Sequence, residues 1–270
     1  MRISQIITYP IKSLGGFQQT TAVVTPQGLQ FDRRWMLVTP EGKFLTQRTF
    51  PRMALFKTAL SGDYLKVTAP NQLDSFIEIP LEAPKEQPAK MVEVWASDVM
   101  ALQVNPEFDT WFSRHLGTEC QLVYMPEESK RPIKAKYNIP NGVVSFADSN
   151  PILIIGEASL NDLNNRLESP VEMNRFRPNL VVEGSVPYGE EEWQQVSVGP
   201  VHFRVAKACT RCKMITINQS TAAVGQEPLK TLATYKAKNN QIDFGVLVAW
   251  ANEEWSGGTP MISLGDEVVV

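Results

Sequence analysis

Histidine and cysteine are scarce here, with two and three residues respectively in a chain of 270. Three cysteines (Cys120, Cys209 and Cys212) are too few, and odd in number, for a disulfide framework in a chain this long. Reduced thiols in a reducing compartment are expected instead. No run of 18 or more apolar residues occurs, which excludes a hydrophobic membrane-spanning helix. The amino-terminal stretch MRISQIITYPIKS moves straight into a strand pattern, without an apolar core behind a charged leader. No secretory signal is therefore expected, and a cytoplasmic protein follows. An excess of basic charge is missing too. With 26 Lys and Arg against 29 Asp and Glu, the net charge is −3, which argues against a general nucleic-acid binder.

What is present reads mainly as short strands. RISQIITYPI, TTAVVTP, RWMLVTP, DYLKVTAP, SFIEIP and MVEVWASDVMALQV alternate or carry β-branched runs between Pro, Gly, Asn and Asp turns. Helical spacing occurs in PEFDTWFSRHLG, where Phe108, Trp111, Phe112 and Leu116 share a face, and in EASLNDLNNRLES through Leu160, Leu163 and Leu167. A third helix is expected over EPLKTLATYKAK, with Pro228 in its first turn. EESKRPIKAKYNIPNG, polar and basic with two prolines, reads as a long exposed loop, and a domain boundary is placed near residue 120. The fold class expected is mainly β (α+β), built from β-barrels with a few short helices rather than a doubly wound sheet.

The segment RVAKACTRCKMITIN sets Cys209 and Cys212 in a C-x-x-C spacing between PVHFRVAKA and KMITIN, both of which alternate like strands. Disulfide exchange would suit a strand running into a helix start better. Structural zinc would need two further ligands, and only Cys120, His115 and His202 remain. Two buried, inert thiols are an ordinary alternative. Against that stand Lys207, Arg211 and Lys213, whose charge would favour a thiolate if they face the sulfur. A single exposed thiolate suits a soft redox metal whose other ligands come from an organic cofactor.

Such cofactors usually carry phosphate, and cationic clusters exist to meet one. YPIKS offers Lys12 and Ser13, FDRRWML offers Arg33 and Arg34, and NRFRPN offers Arg175 and Arg177 beside Asn174 and Asn179. Each has a structural alternative. Lys12 could be solvated, Asp32 could pair with a neighbouring arginine, and Arg175 and Arg177 could lie on the wet face of one strand. Asp148 reads as a turn cap.

Taken in order, YPIKS, FDRRWMLV, FADSNPILIIGEASLNDLN, NRFRPNLVV, ACTRC and EPLKTL resemble the MOSC proteins. The likeness is greatest to the group containing the mitochondrial amidoxime-reducing component and its bacterial relatives. It covers nearly the whole chain. It implies a β-rich MOSC N-terminal domain over residues 1–120, followed by a MOSC β-barrel domain over 121–270. It also implies a bound molybdenum cofactor, Mo-molybdopterin. Cys212 would be the metal ligand and the catalytic residue, with Cys209 a neighbouring cysteine that is not a ligand. Lys12, Ser13, Arg33, Ser149, Asn150, Arg177, Asn179, Thr210 and Arg211 match positions that hold the cofactor. The implied activity is reduction of amidoximes, hydroxylamines or N-hydroxylated bases by oxygen-atom transfer to molybdenum. Three cysteines cannot supply an iron–sulfur cluster. Electrons would therefore come from a separate donor protein, such as a ferredoxin or flavoprotein. The family also includes the sulfurating end of molybdenum-cofactor sulfurases, which implies an alternative role as a cofactor or sulfur carrier. The chain departs from the family in reading NQSTAAVGQEP where an Asp-x-x-Thr-Gly element is common, and Asn150 where serine is common.

Overall fold

The computed structural model describes residues 1–70, 72–84, 87–137, 139–251 and 257–270. Its largest sheet has nine strands. Along the main path run Val268–Val269, Gln195–Val198, Val201–Thr210, Gln241–Trp250, Ile152–Gly156, Leu180–Glu183, Arg2–Thr8 and Phe17–Gln19, and Ala237–Lys238 pairs to one side. The path curls back on itself. Val268 N–H donates to the Met1 carbonyl at 2.9 Å and Gly265 N–H to that of Ile3 at 2.8 Å. Those bonds join the first strand to the last, the closure expected of a barrel, which leaves few free edges.

In Arg2–Thr8 the register shifts between Ile3 and Gln5, so Ile3 and Ile6, three positions apart, both point into a core shared with Val182, Val196, Phe203, Val246 and Val248. One pairing in this sheet is parallel, Ile152–Gly156 beside Leu180–Glu183, and the helix of that crossover is Glu157–Asn164. This helix stops before Leu167, short of the spacing in the sequence. The Asn164 side chain instead bonds the backbone of Val171 at both N–H and carbonyl (2.9 and 3.0 Å), tying the next loop down.

The first half supplies a four-stranded sheet of Trp35–Val38, Gln121–Tyr124, Ser97–Gln103 and Ala89–Val94, and a meander of Lys57–Ser61, Tyr64–Ala69 and Gln72–Pro80. The helix Pro106–Leu116 starts on an Asn105 cap and ends on Gly117 in the left-handed region (φ 71°). Its Phe112 and Leu116 pack into a second core with Trp35, Phe56 and Leu122. The expected helix after Pro228 is Leu229–Lys236. Residues on the two sides of position 120 interleave, since Arg2–Thr8 lies in the barrel and Gln121–Tyr124 completes the first half's sheet. Among the described residues no helix is long and apolar enough to cross a membrane.

The basic stretch after residue 125 is exposed over most of its length, as expected, with Glu127, Glu128, Lys130, Lys134 and Lys136 all at the surface, but two of its residues turn inward; position 138 lies outside the described residues. Arg131 and Ile133 are buried. The Arg131 guanidinium donates to the carbonyls of Ser145, Ala147 and Asp148 at 2.5–3.0 Å, pulling two chain segments together.

Gly245 tests the barrel's tightness. It adopts φ 78°, and a Cβ there would meet Ile155 Cγ1 at 2.6 Å and the Ile154 carbonyl oxygen at 2.8 Å. Gly245→Ala is expected to lower unfolding free energy by roughly 2–4 kcal/mol in a urea titration. An unchanged midpoint would show that the wall yields there.

Candidate functional site

The cysteine motif leaves the barrel through a bulged strand. Val201–Thr210 slips in register against Gln241–Trp250 between Val205 and Lys207, and again between Ala208 and Thr210. Bulges of this kind re-aim side chains. KMITIN does not form the strand its alternation suggested. Lys213–Thr216 is a 3-10 turn with Cys212 as its N-cap. Local bonds from Ile215 N–H to the Cys212 carbonyl and from Ile217 N–H to that of Met214, both 3.2 Å, replace a sheet ladder. NRFRPN differs likewise. Met173–Arg175 is a 3-10 turn, and Arg177 takes φ 56°, so its two arginines do not alternate along a strand. Pro178 follows directly, and a residue before proline is disfavoured in the right-handed helical region.

These turns wall a cavity of about 500 Å³. All ten residues named from the sequence border it. Lys12, Ser13 and Arg33 come from the first half, Ser149, Asn150, Arg177 and Asn179 from the segments around the parallel strand pair, and Thr210, Arg211 and Cys212 from the motif. Its wall carries nine lysines and arginines against one carboxylate, Asp148, among the described residues. A chain of net charge −3 has thus placed nine of its 26 lysines and arginines around one cavity, which is the electrostatics of an anion site. Backbone geometry is unusual there too. Ser13, Arg33 and Arg177 all lie in the left-handed region, with φ of 68°, 49° and 56°. Non-glycine residues in that region cost on the order of 1–3 kcal/mol each, and such strain clusters at functional sites.

The cations are held by definite partners. Lys12, only 4% exposed and so not solvated, donates from Nζ to Asp148 Oδ1 and to the Phe146 carbonyl, both at 2.6 Å. Burial pulls its ammonium below the ordinary value, and Asp148 offsets part of that. Asp148 also accepts from Arg48 Nη2 (3.2 Å) and Trp95 Nε1 (3.1 Å), making it a charge anchor rather than a turn cap. Burial would raise its carboxyl, but the charges of Lys12 and Arg48 outweigh that and hold it well below the usual carboxylate range. Asp32 pairs with Arg33, as sequence adjacency suggested. Asn179 accepts from Arg33 Nη1 (2.9 Å) and Leu153 N–H (3.2 Å), and donates to Asp32 and the Ile7 carbonyl. Its amide is fully used in holding Arg33. The guanidinium carbons of Arg33 and Arg177 lie 4.5 and 4.2 Å from the centroid of the Tyr9 ring. Burial lowers Arg177 to about 10, against the opposing pull of Tyr9, and raises the Tyr9 phenol to about 12.

Other groups remain open. Asn150 is 3% exposed, yet neither its Oδ1 nor its Nδ2 has a hydrogen-bond partner among the described residues. Arg211 Nε is equally unpartnered. Buried polar groups are normally satisfied, so an amide and a guanidinium nitrogen left open on a cationic wall mark where a polar ligand completes the structure. Thr210 contributes less than expected, since its hydroxyl is taken by Asp243 at 2.7 Å. The Arg211 backbone N–H is likewise engaged, by the Ile242 carbonyl.

The cation on Cys212 is none of the three beside it in sequence. Arg48, from the first half, brings Nε and Nη2 each to 3.4 Å from Cys212 Sγ. Arg211 turns to Cys209 instead, with Nη1 2.9 Å from its sulfur. Lys207 lies over the Tyr137 ring. Arg34 faces away, onto the Met125 carbonyl and Tyr124. Sequence reasoning missed Arg48, Trp95 and Arg131. Arg48 sits in LTQRTFPR, which carries no motif, and only the tertiary fold delivers it. The cysteines are free, and no group of three or more His, Cys, Asp or Glu residues able to hold a metal occurs among the described residues. His115 bonds Ser75, His202 bonds Ser197, and Cys120 is buried in the first half, so the zinc set does not assemble.

Two family models match this chain, the MOSC N-terminal beta barrel domain over residues 1–119 and the MOSC domain over residues 141–269. Mitochondrial amidoxime-reducing component 1 of Mus musculus is 33% identical over 244 residues, covering 87% of this chain and 71% of its own length. The molybdenum cofactor sulfurase of Oryza sativa is 31% identical over 267 residues, or 92% of this chain, and the chain spans 32% of that protein's length. Among solved structures, the YuaD protein of Bacillus subtilis matches 99% of this chain and 93% of its own at 9% identity, with a TM-score of 0.42, too low to define a shared fold. The chain belongs to the MOSC-domain family, with a MOSC N-terminal β-barrel domain ahead of the MOSC domain.

Asp148→Asn probes the charge anchor. A carboxyl held below its unfolded value near 4 contributes stability above that pH and loses it as pH falls towards the folded value. The variant should therefore be less stable than the parent at pH 7, by about 1–2 kcal/mol given a half-exposed carboxylate. The gap should narrow steadily below pH 4 in urea titrations. A gap independent of pH would mean that the carboxylate charge is not what Lys12 and Arg48 require.

Proposed function

We propose that this cavity holds the molybdenum cofactor, with Cys212 as the protein ligand to the metal, and that the loaded protein reduces N-hydroxylated compounds such as amidoximes, hydroxylamines and N-hydroxylated bases. The observation that carries the reading is the convergence of a free thiol, an unpartnered buried amide and nine cations on one 500 Å³ cavity. That donor set fits a phosphate-bearing pterin whose metal needs one further sulfur. The 33% identity to an amidoxime-reducing component supports the substrate class.

When bound, the cofactor supplies the two-electron metal chemistry that removes the hydroxyl oxygen from nitrogen. The chain's own residues bind and orient. Arg177, the Asn150 amide and the Arg211 Nε are the open donors for a phosphate and a polar ring edge. Asn179 and Asp32 hold Arg33 in place. Lys12 is held in place by its ion pair with Asp148. Electrons come from a separate donor protein, a ferredoxin, a flavoprotein or similar, in the cytoplasm.

The likeness to a sulfurase favours a second reading, a carrier that binds the cofactor for a partner without turning over small molecules. Protein made in cells able to form the cofactor separates the two, by metal analysis followed by a benzamidoxime assay with a reduced dye. Reduction is expected. Molybdenum without reduction supports the carrier. Cys212→Ala should abolish reduction while Cys209→Ala spares most of it, and equal loss in both would point to a shared thiol pair. Arg177→Met should lower molybdenum content at least fivefold, and unchanged content would contradict the phosphate role.

A further inference from the structure

The two sulfurs of the C-x-x-C motif are each engaged by a different arginine from a different part of the chain. Cys209 ends a run of the barrel strand, packs against the cluster of Phe176, Ile215 and Phe244, and lies 2.9 Å from Arg211 Nη1. Arg211 is itself anchored, since Nη2 donates to the Phe176 carbonyl at 2.7 Å. Cys212 begins the following 3-10 turn and faces Arg48, two of whose nitrogens lie 3.4 Å from its sulfur. Arg48 is fixed on two further sides, by Asp148 Oδ2 at 3.2 Å and by the Trp95 ring, whose centroid is 4.7 Å from the guanidinium carbon. Trp95 is held in turn by its own bond to Asp148 and by Phe44, at 5.1 Å between ring centroids.

We propose that Arg48 and Arg211 are positioning residues that hold the two thiols of the motif on separate partners, and that Arg48 thereby keeps the Cys212 sulfur aimed into the cavity and out of an internal disulfide with Cys209. A C-x-x-C pair can close only if both sulfurs approach to about 2 Å with a particular dihedral. A sulfur anchored by two donors must give up both to turn. Closure would be costly to the proposed function, because a disulfide sulfur cannot serve as the thiolate ligand. The inference rests on that reading for its purpose and not for its geometry.

The test uses the full chain made in cells lacking the cofactor, held at one pH and exposed to diamide. The two thiols lose two electrons and two protons and form the S–S bond, while the diazene N=N bond takes up both and becomes a hydrazine. Peptide mass spectrometry after alkylation reads the Cys209–Cys212 disulfide against time. Arg48→Met should close at least tenfold faster than the parent, and Arg211→Met should also accelerate closure by releasing the other sulfur. Arg48→Lys, which keeps the charge but not the paired nitrogens, should fall between. Cys120, buried elsewhere, should stay reduced in all four proteins. Equal closure rates in the parent and both methionine variants would overturn the proposal, as would an Arg48→Lys rate equal to that of Arg48→Met alongside normal closure in Arg211→Met. Because no metal is involved, failure here leaves Cys212 available as a ligand, and failure of molybdenum loading leaves the closure rates to stand or fall alone.

Discussion

Positive charge gathered into a small volume is the constraint around which this molecule is arranged. Two unit charges 5 Å apart repel by about 3 kcal/mol at an effective dielectric near 20. Nine cations on one cavity wall therefore cannot stand unaided. Arg33 and Arg177 approach the same Tyr9 ring, and Lys12, Arg131 and Arg177 are all pushed down by burial. Two carboxylates carry the compensation. Asp148 joins Lys12 to Arg48, and Asp32 ties Arg33 to the barrel. Backbone carbonyls and aromatic faces satisfy several of the others. What is left over is a surplus that an anionic ligand can neutralise.

The fold places that surplus with strained and bulged backbone rather than with regular structure. The barrel provides a rigid wall through Val201–Thr210 and Gln241–Trp250, whose register slips release the cysteine motif at the rim. Left-handed residues at Ser13, Arg33 and Arg177, in three separate connections, line the same cavity. The first half of the chain brings Lys12, Arg33, Arg48 and Trp95 to sulfur and amide groups of the second half, so the cavity exists only in the assembled fold. Arg131 reinforces one side by gathering three carbonyls of the 145–148 segment.

Much of this was legible in the residues themselves. Alternation identified Tyr64–Ala69 as a strand, and the spacing of Phe108, Trp111, Phe112 and Leu116 marked the helix Pro106–Leu116. The cationic motifs at Lys12, Arg33 and Arg177 were visible because phosphate chemistry demands such groups, although only the fold brings them onto one cavity. Errors fell where local hydrogen bonding overrode alternation. KMITIN and NRFRPN both carry strand periodicity and both form turns, because short-range carbonyl bonds close them first. The basic stretch around Arg131 is exposed for most of its length, as its composition suggests, but composition cannot reveal that one guanidinium in it will be enclosed by carbonyls. Arg48 had no sequence signal. Its importance comes from lying 164 positions from the sulfur it touches.

A cavity with this surplus of positive charge should take up an anion. The thermal midpoint of the full chain, made without cofactor, measured against rising inorganic phosphate at constant ionic strength, reads that uptake. A ligand that binds only the folded state raises the midpoint as the logarithm of its concentration once the site fills. That rise is expected in the parent chain and should be lost in Arg177→Met. A midpoint indifferent to phosphate, or an equal rise in the variant, would contradict it.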